Sequence, residues 1–199
     1  MKIVIASNNQ GKIKEFKKLL PNYEVVSIGE VLGKIEIEED KDSFKENAIK
    51  KAKTIYDLLI QKGLKDFIVI SDDSGISLPI LNNAPGIFSA RYAGVNATDK
   101  ENNQKLINEI NKLHIEKAKA FYTACIAIAY KNMIYTVHGF MYGNVINKEI
   151  GKNGFGYDPL FIPNGYDKTL GEIADEEKNS FSHRSRALNL AKKVLDIIL

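Results

Sequence analysis

An apolar run over residues 2–6 passes directly into polar turn residues and then into an amphipathic helix. The run has the length of a buried strand. The helix predicted from Lys12 is apolar on one face and carries lysines on the other, with Ile13, Phe16, Leu19 and Leu20 on the apolar face. A buried strand followed at once by such a helix predicts an α/β architecture.

The rest of the chain repeats this alternation. Strands are predicted at 24–28, 67–70, 121–130 and 134–142, the last two forming a hairpin. Capping boxes at Ser43/Glu46 and Thr98/Glu101 predict two helices, and a final helix is expected from about Ser182 to the end. Residues 82–94 and 151–156 are expected to be loops. We therefore predict one continuous domain over residues 1–199, with helices flanking a mixed, twisted sheet.

Composition excludes several classes of protein. The chain has 199 residues and a net charge of +3, and its lysines are scattered, so we expect no nucleic-acid partner. Cys125 is the only cysteine and lies in an apolar run, which favours a buried, inert thiol. The sequence has no signal-like start and no apolar stretch of membrane-spanning length, so we expect a cytoplasmic protein without a membrane partner.

The turn after the first strand has the features of a phosphate site. It reads Ser7, Asn8, Asn9, Gln10, Gly11 and Lys12. A strand–turn–helix junction presents backbone N–H groups to an anion. A lysine in the first turn opposes the helix dipole, which costs about 0.3–1 kcal/mol unless an anion compensates. The alternative is an ordinary turn with an asparagine cap, and the Walker A pattern is absent.

Two adjacent carboxylates, Asp72 and Asp73, follow the apolar strand 67–70 and precede Ser74 and Gly75. Ligands of open α/β sheets bind beyond the carboxyl ends of strands. Paired carboxylates suit Mg²⁺, which takes one or two of them together with substrate phosphates. An Asx-turn at the end of the strand explains the same residues equally well. The acidic run at 36–40 is either a solvated edge or the source of a second metal ligand.

Two further segments could bind a flat, polar ligand. The glycine-rich segment 151–159 contains Phe155, Gly156, Tyr157 and Asp158. An aromatic ring there could stack on a base, and the acid could accept from ring N–H groups. Near the end of the chain, Ser182, His183 and Arg184 begin the last predicted helix, where donors and the helix dipole favour an oxygen-rich ligand. Glu176, Glu177 and Lys178 precede it, and the lysine adds a cation. A capped surface helix is the alternative.

Taken together, these segments resemble the inosine triphosphate pyrophosphatase family. The matching segments are 7–12, 43–48, 72–75, 84–94, 155–159 and 182–184. Each is modest alone, but their joint order and spacing are specific. The resemblance implies an elongated α/β fold with two lobes around a substrate cleft, and a homodimer. It implies Mg²⁺-dependent hydrolysis of ITP, dITP and XTP at the α-phosphorus to a monophosphate and pyrophosphate, which removes deaminated purines from the nucleotide pool.

The resemblance also implies residue roles. The segment from Ser7 to Lys12 would hold the triphosphate, with Ser74 near the phosphates, and Asp73 would be the general base and a metal ligand. Phe155, Gly156, Tyr157 and Asp158 would surround the base, and Lys178, His183 and Arg184 would complete its recognition. The family's metal glutamate usually lies three residues before a glycine, and Lys41 stands at that glycine position. Glu38 fits by count as the second ligand, while Glu39 stays possible and Asp72 is the weaker candidate.

Three other readings remain open at this point. A related pyrophosphatase could act on other modified nucleotides, such as pyrimidine analogues. A nucleotide-binding regulator without turnover would not require both Asp72 and Asp73. A basic nucleic-acid binder would account for the sequence pI of about 8.7, but scattered lysines argue against it.

Overall fold

The fold was analysed in a computed structural model that describes residues 1–33 and 35–199. The strands are β1 Lys2–Ile5, β2 Glu24–Ser27, β3 Phe67–Ser77, β4 Lys117–Tyr130, β5 Met133–Ile146 and β6 Phe161–Pro163. The helices are α1 Gln10–Leu19, α2 Ile28–Leu32, α3 Phe44–Gln61, α4 Asp99–Lys112, α5 Asp175–Phe181 and α6 His183–Ile198. Short 3₁₀ helices span Pro79–Leu81, Gly86–Arg91 and Asp158–Leu160. The predicted mixed α/β class with flanking helices is confirmed.

The described strands form one mixed sheet in the order β2-β1-β3-β4-β5-β6. β1 pairs in parallel with β2 and β3, whereas β5 and β6 are antiparallel. The chain divides into two compact units made of discontinuous segments. The first unit contains residues 1–73, 124–139 and 185–199, and the second contains 74–123 and 140–184. Asp73 and Ser74, which are consecutive in β3, therefore belong to different units.

In the first unit both faces of the strands are buried. Alternate side chains of a strand point to opposite faces, so one strand can contribute to two cores. Ile3 and Ile5 of β1 pack with Phe16 of α1 and Leu188 of α6, while Val4 packs with residues of α3. The α3 residues concerned are Ala48, Ala52, Ile55 and Leu59. Parallel strands buried on both faces read as continuous apolar runs, which is why residues 2–6 gave a clear signal.

The second unit is built on one face of β4 and β5. Ala118, Ala120 and Tyr122 of β4 and Met141 of β5 are buried against Leu106 of α4. On the alternate positions, Lys117, Lys119, Phe140 and Tyr142 are exposed. This alternation is typical of antiparallel strands with one covered face.

The structure corrects the sequence analysis at three places. Strand β3 does not end at Ile70 but continues to Ser77, so Asp72 and Asp73 lie inside a strand and no Asx-turn ends it. The segment before His183 is a separate helix, α5, and Ser182 lies between α5 and α6. Helix α2, strand β6 and the 3₁₀ helices within 79–91 were not predicted. These elements are only 3–6 residues long, too short to show a periodic pattern.

Among the residues that the structure describes, no helix combines the length and the apolarity that a membrane span requires.

Candidate active site

The turn from Ser7 to Lys12 is a well-capped helix start. Asn9 is the N-cap of α1, and its side-chain oxygen accepts a hydrogen bond from the Lys12 N–H at 3.0 Å. The Ser7 hydroxyl accepts from the Asn9 N–H at 3.2 Å. The Asn8 amide donates to the Ile35 carbonyl at 2.8 Å, and the Gln10 amide donates to the Asn8 carbonyl. The turn is thereby fixed while Asn8, Asn9 and Gln10 remain exposed.

The lysine in the first turn of α1 has a compensating anion within the protein. Lys12 Nζ lies 2.7 Å from a carboxylate oxygen of Asp72, whose side chain is fully buried. The first turn of α1 contains no acidic residue of its own. Asp72 therefore offsets the unfavourable position of Lys12 at the positive end of the helix. Because Asp72 holds this lysine, we assign it to positioning Lys12.

A buried lysine that sequence reasoning missed joins the other candidate carboxylates. Lys51 of α3 is 7% exposed. Its Nζ donates to Glu39 at 2.6 Å, to the Asp72 backbone carbonyl at 2.8 Å and to Asp73 Oδ1 at 3.3 Å. The arrangement brings Glu39, and not the exposed Glu38, to the ammonium group that Asp73 also contacts.

The surroundings of Lys51 and Asp73 shift the pKa of both side chains. Burial alone would lower the pKa of Lys51, but the negative charges of Asp73 and Glu39 outweigh it, and the net effect raises that pKa. Burial raises the pKa of Asp73, and the neighbouring Glu39 and Asp72 charges raise it further, while Lys51 and Lys12 oppose the shift. Asp73 is therefore a more basic carboxylate than an ordinary aspartate, which suits a group that accepts a proton.

The donor set can be tested for Mg²⁺. Asp73 is 4% exposed, and its Oδ2 is buried without a hydrogen-bond partner. A buried carboxylate oxygen without a hydrogen-bond partner, near a second carboxylate, is a suitable ligand for a hard cation. Within residues 1–33 and 35–199, no three His, Cys, Asp or Glu side chains are grouped to hold a metal by themselves. Asp73 and Glu39 thus fit an ion that is also bound by substrate phosphates.

In the second unit, an ion pair fixes the glycine-rich loop. Asp158 and Lys178 are both buried, and their carboxylate and ammonium groups are 2.6 Å apart. The same Asp158 oxygen accepts from the Phe155 N–H at 2.9 Å. Gly154, at φ +75°, passes so close that a Cβ there would lie 1.9 Å from Asp158 Oδ2. The loop therefore wraps tightly around this carboxylate.

Phe155 is covered by two cations. Lys178 Nζ lies 5.0 Å from the centre of its ring, and the guanidinium carbon of Arg184 lies 5.6 Å from it. Arg184 also donates to the Ser74 hydroxyl at 2.9 Å. The structure thus brings Phe155, Asp158, Lys178 and Arg184 together, and Arg184 also contacts Ser74. Their roles in binding the base, and the role of Ser74 near the phosphates, stay predictions.

His183 has an aromatic neighbour that the sequence did not indicate. Its imidazole is stacked on the ring of Tyr122, with centroids 4.5 Å apart and planes within 9°. Tyr122 is itself buried against Phe161. Burial, followed by the charge of Asp158, raises the pKa of the Tyr122 hydroxyl well above its ordinary value, so this tyrosine stays neutral. Tyr157 is also buried, and its hydroxyl donates to the Ser89 carbonyl at 2.8 Å.

A sequence signal for Lys51 did exist. It lies three residues after Ala48 and four before Ile55, on the apolar stripe of α3. A lysine on the buried face of an amphipathic helix needs charged partners, so it indicates a polar site. Tyr122 gave no such signal, because an aromatic residue in a buried strand is ordinary.

Comparisons with known proteins identify relatives of the chain over its whole length. The sequence model described as the Ham1 family matches residues 3–194. A protein of Aliarcobacter butzleri named dITP/XTP pyrophosphatase is 70% identical over the whole of both chains. A protein of the same name from Nautilia profundicola is 54% identical over all of this chain and 99% of its own length.

A solved structure shares the fold. The Ham1 protein of Staphylococcus aureus superposes with a TM-score of 0.84 and 38% identity, and the match covers all of both chains. Sequence and fold similarity of this extent, over the full length, confirm the family resemblance inferred from the motifs.

Proposed function

The chain belongs to the Ham1 family, and from that premise we propose that it hydrolyses ITP, dITP and XTP to the nucleoside monophosphate and pyrophosphate. The observation that carries the proposal is the state of Asp73. It is a buried carboxylate with a raised pKa and one unpartnered oxygen, and it lies in a group of two lysines and two further carboxylates. Such a group suits phosphate hydrolysis, which needs a base, cations and a site for a divalent metal.

The phosphates are proposed to bind at the turn from Ser7 to Lys12. The exposed side chains of Asn8, Asn9 and Gln10 lie at the positive end of α1, which favours an anion. Lys12, held in place by Asp72, stabilises the negative charge that develops on the phosphate oxygens. Asp73 and Glu39 would hold Mg²⁺, which would supply further neutralisation of the phosphates.

Asp73 is proposed as the general base. It accepts a proton from a water molecule that attacks the α-phosphorus, and the bond from that phosphorus to the bridging oxygen breaks, so that pyrophosphate leaves. Lys51 donates to Asp73 Oδ1, which leaves Oδ2 to accept the proton or to bind the metal. The contact with Lys51 therefore orients the carboxylate.

Base selectivity is assigned to the second unit. Phe155 provides an aromatic face, while His183 and Arg184 provide donors for the keto oxygen at position six of the purine. Adenine has an amino donor at that position, which offers these buried donors no acceptor. A mismatch of this kind gives a discrimination of about 10⁴-fold. Guanine keeps the keto oxygen and must be rejected at its 2-amino group.

Product analysis over a substrate panel tests the proposal. Purified protein is incubated with Mg²⁺ and with ITP, dITP, XTP, GTP, ATP or modified pyrimidine triphosphates, and both pyrophosphate and orthophosphate are measured. We expect pyrophosphate from ITP, dITP and XTP. Orthophosphate as the first product contradicts attack at the α-phosphorus. Preference for a pyrimidine contradicts the proposed substrate class, and bound but unhydrolysed ITP contradicts turnover.

We retain three further predictions as part of the proposal: Mg²⁺ as the metal, a homodimer, and a cytoplasmic location. Omission of Mg²⁺, or its replacement by Ca²⁺, tests the metal through pyrophosphate release. Light scattering of the purified chain tests the oligomeric state.

A further inference from the structure

In the glycine-rich loop, residues 151–159, the backbone of Gly156 has a positive φ and is held by contacts from outside the loop. Gly156 lies between Phe155 and Tyr157 and has φ +63°. A Cβ on Gly156 would meet nothing within 4 Å, so the region around it is open. Neither Asp158 nor Lys178 contacts the backbone of Gly156 in the hydrogen bonds that fix the rest of the loop. The orientation of Phe155 therefore depends on what holds this glycine.

Helix α4 holds it at both of its backbone polar groups. The Gly156 N–H donates to Asp99 Oδ2 at 2.7 Å, and its carbonyl accepts from the side-chain amide of Asn103 at 3.2 Å. Asp99 and Asn103 are four residues apart and so lie on the same face of the helix. The N–H belongs to the peptide plane shared with Phe155, and the carbonyl belongs to the plane shared with Tyr157. The two contacts thereby fix both peptide planes that flank Gly156.

The two helix residues are themselves well placed to act as anchors. Asn103 is 3% exposed, and its amide also donates to Glu149 at 2.9 Å. Asp99 is in the first turn of α4, between Thr98 and Glu101, which form the capping box. A carboxylate at this position is favoured by the helix dipole and accepts a charge-assisted hydrogen bond.

We propose that Asp99 and Asn103 are positioning residues for base recognition, which clamp Gly156 so that the Phe155 ring is presented to the purine in one orientation. This inference rests on the proposed function. Both contacts are made to the backbone of Gly156, next to Phe155, so the clamp acts on binding of the base and not on the bond-breaking step.

A matched pair of variants tests the clamp. Asp99→Ala and Glu101→Ala each remove an acid from the first turn of α4, but only Asp99 contacts Gly156. Asp99→Asn retains a side-chain oxygen that can accept from the Gly156 N–H. For each variant, KM and kcat for ITP and ATP are measured, and amide hydrogen exchange is followed in peptides that cover residues 153–158.

For Asp99→Ala we expect a KM for ITP raised about tenfold with kcat within about twofold of the wild type, as for loss of a hydrogen bond used in binding. The ITP-to-ATP ratio of kcat/KM should fall, and exchange in 153–158 should become faster. Asp99→Asn should restore KM to within about threefold of the wild type. Glu101→Ala should lower the thermal midpoint but leave KM, selectivity and exchange unchanged.

Two results overturn the clamp: an unchanged KM in Asp99→Ala, whether or not kcat falls, or equal effects of Asp99→Ala and Glu101→Ala. If the wild-type protein releases no pyrophosphate from ITP, the proposed function fails, and hydrogen exchange decides the clamp by itself. Faster exchange at 153–158 in Asp99→Ala than in Glu101→Ala then supports it, and equal rates overturn it.

Discussion

The two units each contain a buried lysine held by carboxylates, but the two charge groups differ in balance. In the first unit, Lys51 and Lys12 face three carboxylates, those of Glu39, Asp72 and Asp73. In the second unit, Lys178 forms an ion pair with Asp158, and Lys178 and Arg184 both lie over the ring of Phe155. Among these named side chains, carboxylates outnumber cations in the first group, and cations outnumber carboxylates in the second.

This difference matches two different tasks. An excess of carboxylate around a buried lysine favours a further cation, which lowers the repulsion among the acids. The ion pair of Asp158 and Lys178 fixes a loop, and the guanidinium group of Arg184 provides donors for an electron-rich ligand. We therefore expect substitutions in the first group to affect chemistry and metal response, and substitutions in the second to affect loop stability and base selectivity.

The largest expected effect is that of Asp73→Asn. The amide cannot accept a proton as the carboxylate does, so we expect kcat for pyrophosphate release from ITP to fall by about 10³-fold or more. The measurement is single-substrate kinetics with ITP and Mg²⁺. Asp66→Asn is the control, because Asp66 is exposed in the same unit and has φ +58°, which asparagine tolerates. Comparable loss of kcat in both variants would contradict the role of Asp73.

The two buried lysines should respond differently to replacement and to metal. Lys178→Met removes the ammonium group that lies 2.6 Å from the buried Asp158 carboxylate, which we expect to cost about 3–5 kcal/mol of the free energy of unfolding. Lys51→Met leaves carboxylates that a divalent cation can neutralise. Denaturant unfolding with and without Mg²⁺ should therefore show recovery of stability in Lys51→Met and none in Lys178→Met. If Mg²⁺ changed the stability of Lys51→Met and Lys178→Met equally, the proposed difference between the two charge groups would be contradicted.

A smaller effect is expected from Arg184→Ala. Loss of donors for the keto oxygen should lower the ITP-to-ATP ratio of kcat/KM by about 10- to 100-fold, along with activity on ITP. The control is Arg186→Ala, since Arg186 is exposed on the same helix. If Arg184→Ala lowers the rates for ITP and ATP equally, the assignment to base recognition is wrong.

The smallest expected effect concerns Cys125. Burial, and then the charges of Asp72 and Asp73, raise the pKa of this thiol to about 12. The thiol therefore stays protonated at neutral pH, and we expect no reaction with a thiol reagent at pH 8 in the native protein. Since the folded pKa is raised, this group's contribution to stability is present below pH 9 and is lost as the pH rises toward 12. Rapid labelling of the folded chain at pH 8 would contradict the burial of Cys125.

The sequence predicted the elements that have a strong period. Strand β1, helix α1 and the capped helices α3 and α4 were found close to their predicted bounds, because their apolar positions repeat regularly and their caps are local. The extension of β3 through Asp72 and Asp73 was not predicted, since a strand that carries buried charges looks like a turn in sequence. Its charges are tolerated there because Lys12 and Lys51 neutralise them, and these come from α1 and α3.

In the candidate site, too, the sequence predicted some of the residues and left others undecided. The order of the motifs along the chain indicated three parts of the candidate site: Asp73, the turn from Ser7 to Lys12, and the loop around Asp158. These residue types are required either by the local turn or by the chemistry of the family. The choice between Glu38 and Glu39 could not be made from spacing. The structure shows that Glu39 accepts a hydrogen bond from Lys51 of α3, and on this contact we propose Glu39 as the second metal ligand.

The sequence by itself thus determined the fold class, the family and most of the residues that the proposed chemistry uses, since these follow from local periodicity, capping and motif order. Only the tertiary structure decided the partners: Asp72 with Lys12, Lys51 with Asp73 and Glu39, and Gly156 with Asp99 and Asn103. The physical reason is that a buried charge or a fixed peptide plane is satisfied by groups distant in sequence, and packing alone brings those groups within hydrogen-bond reach.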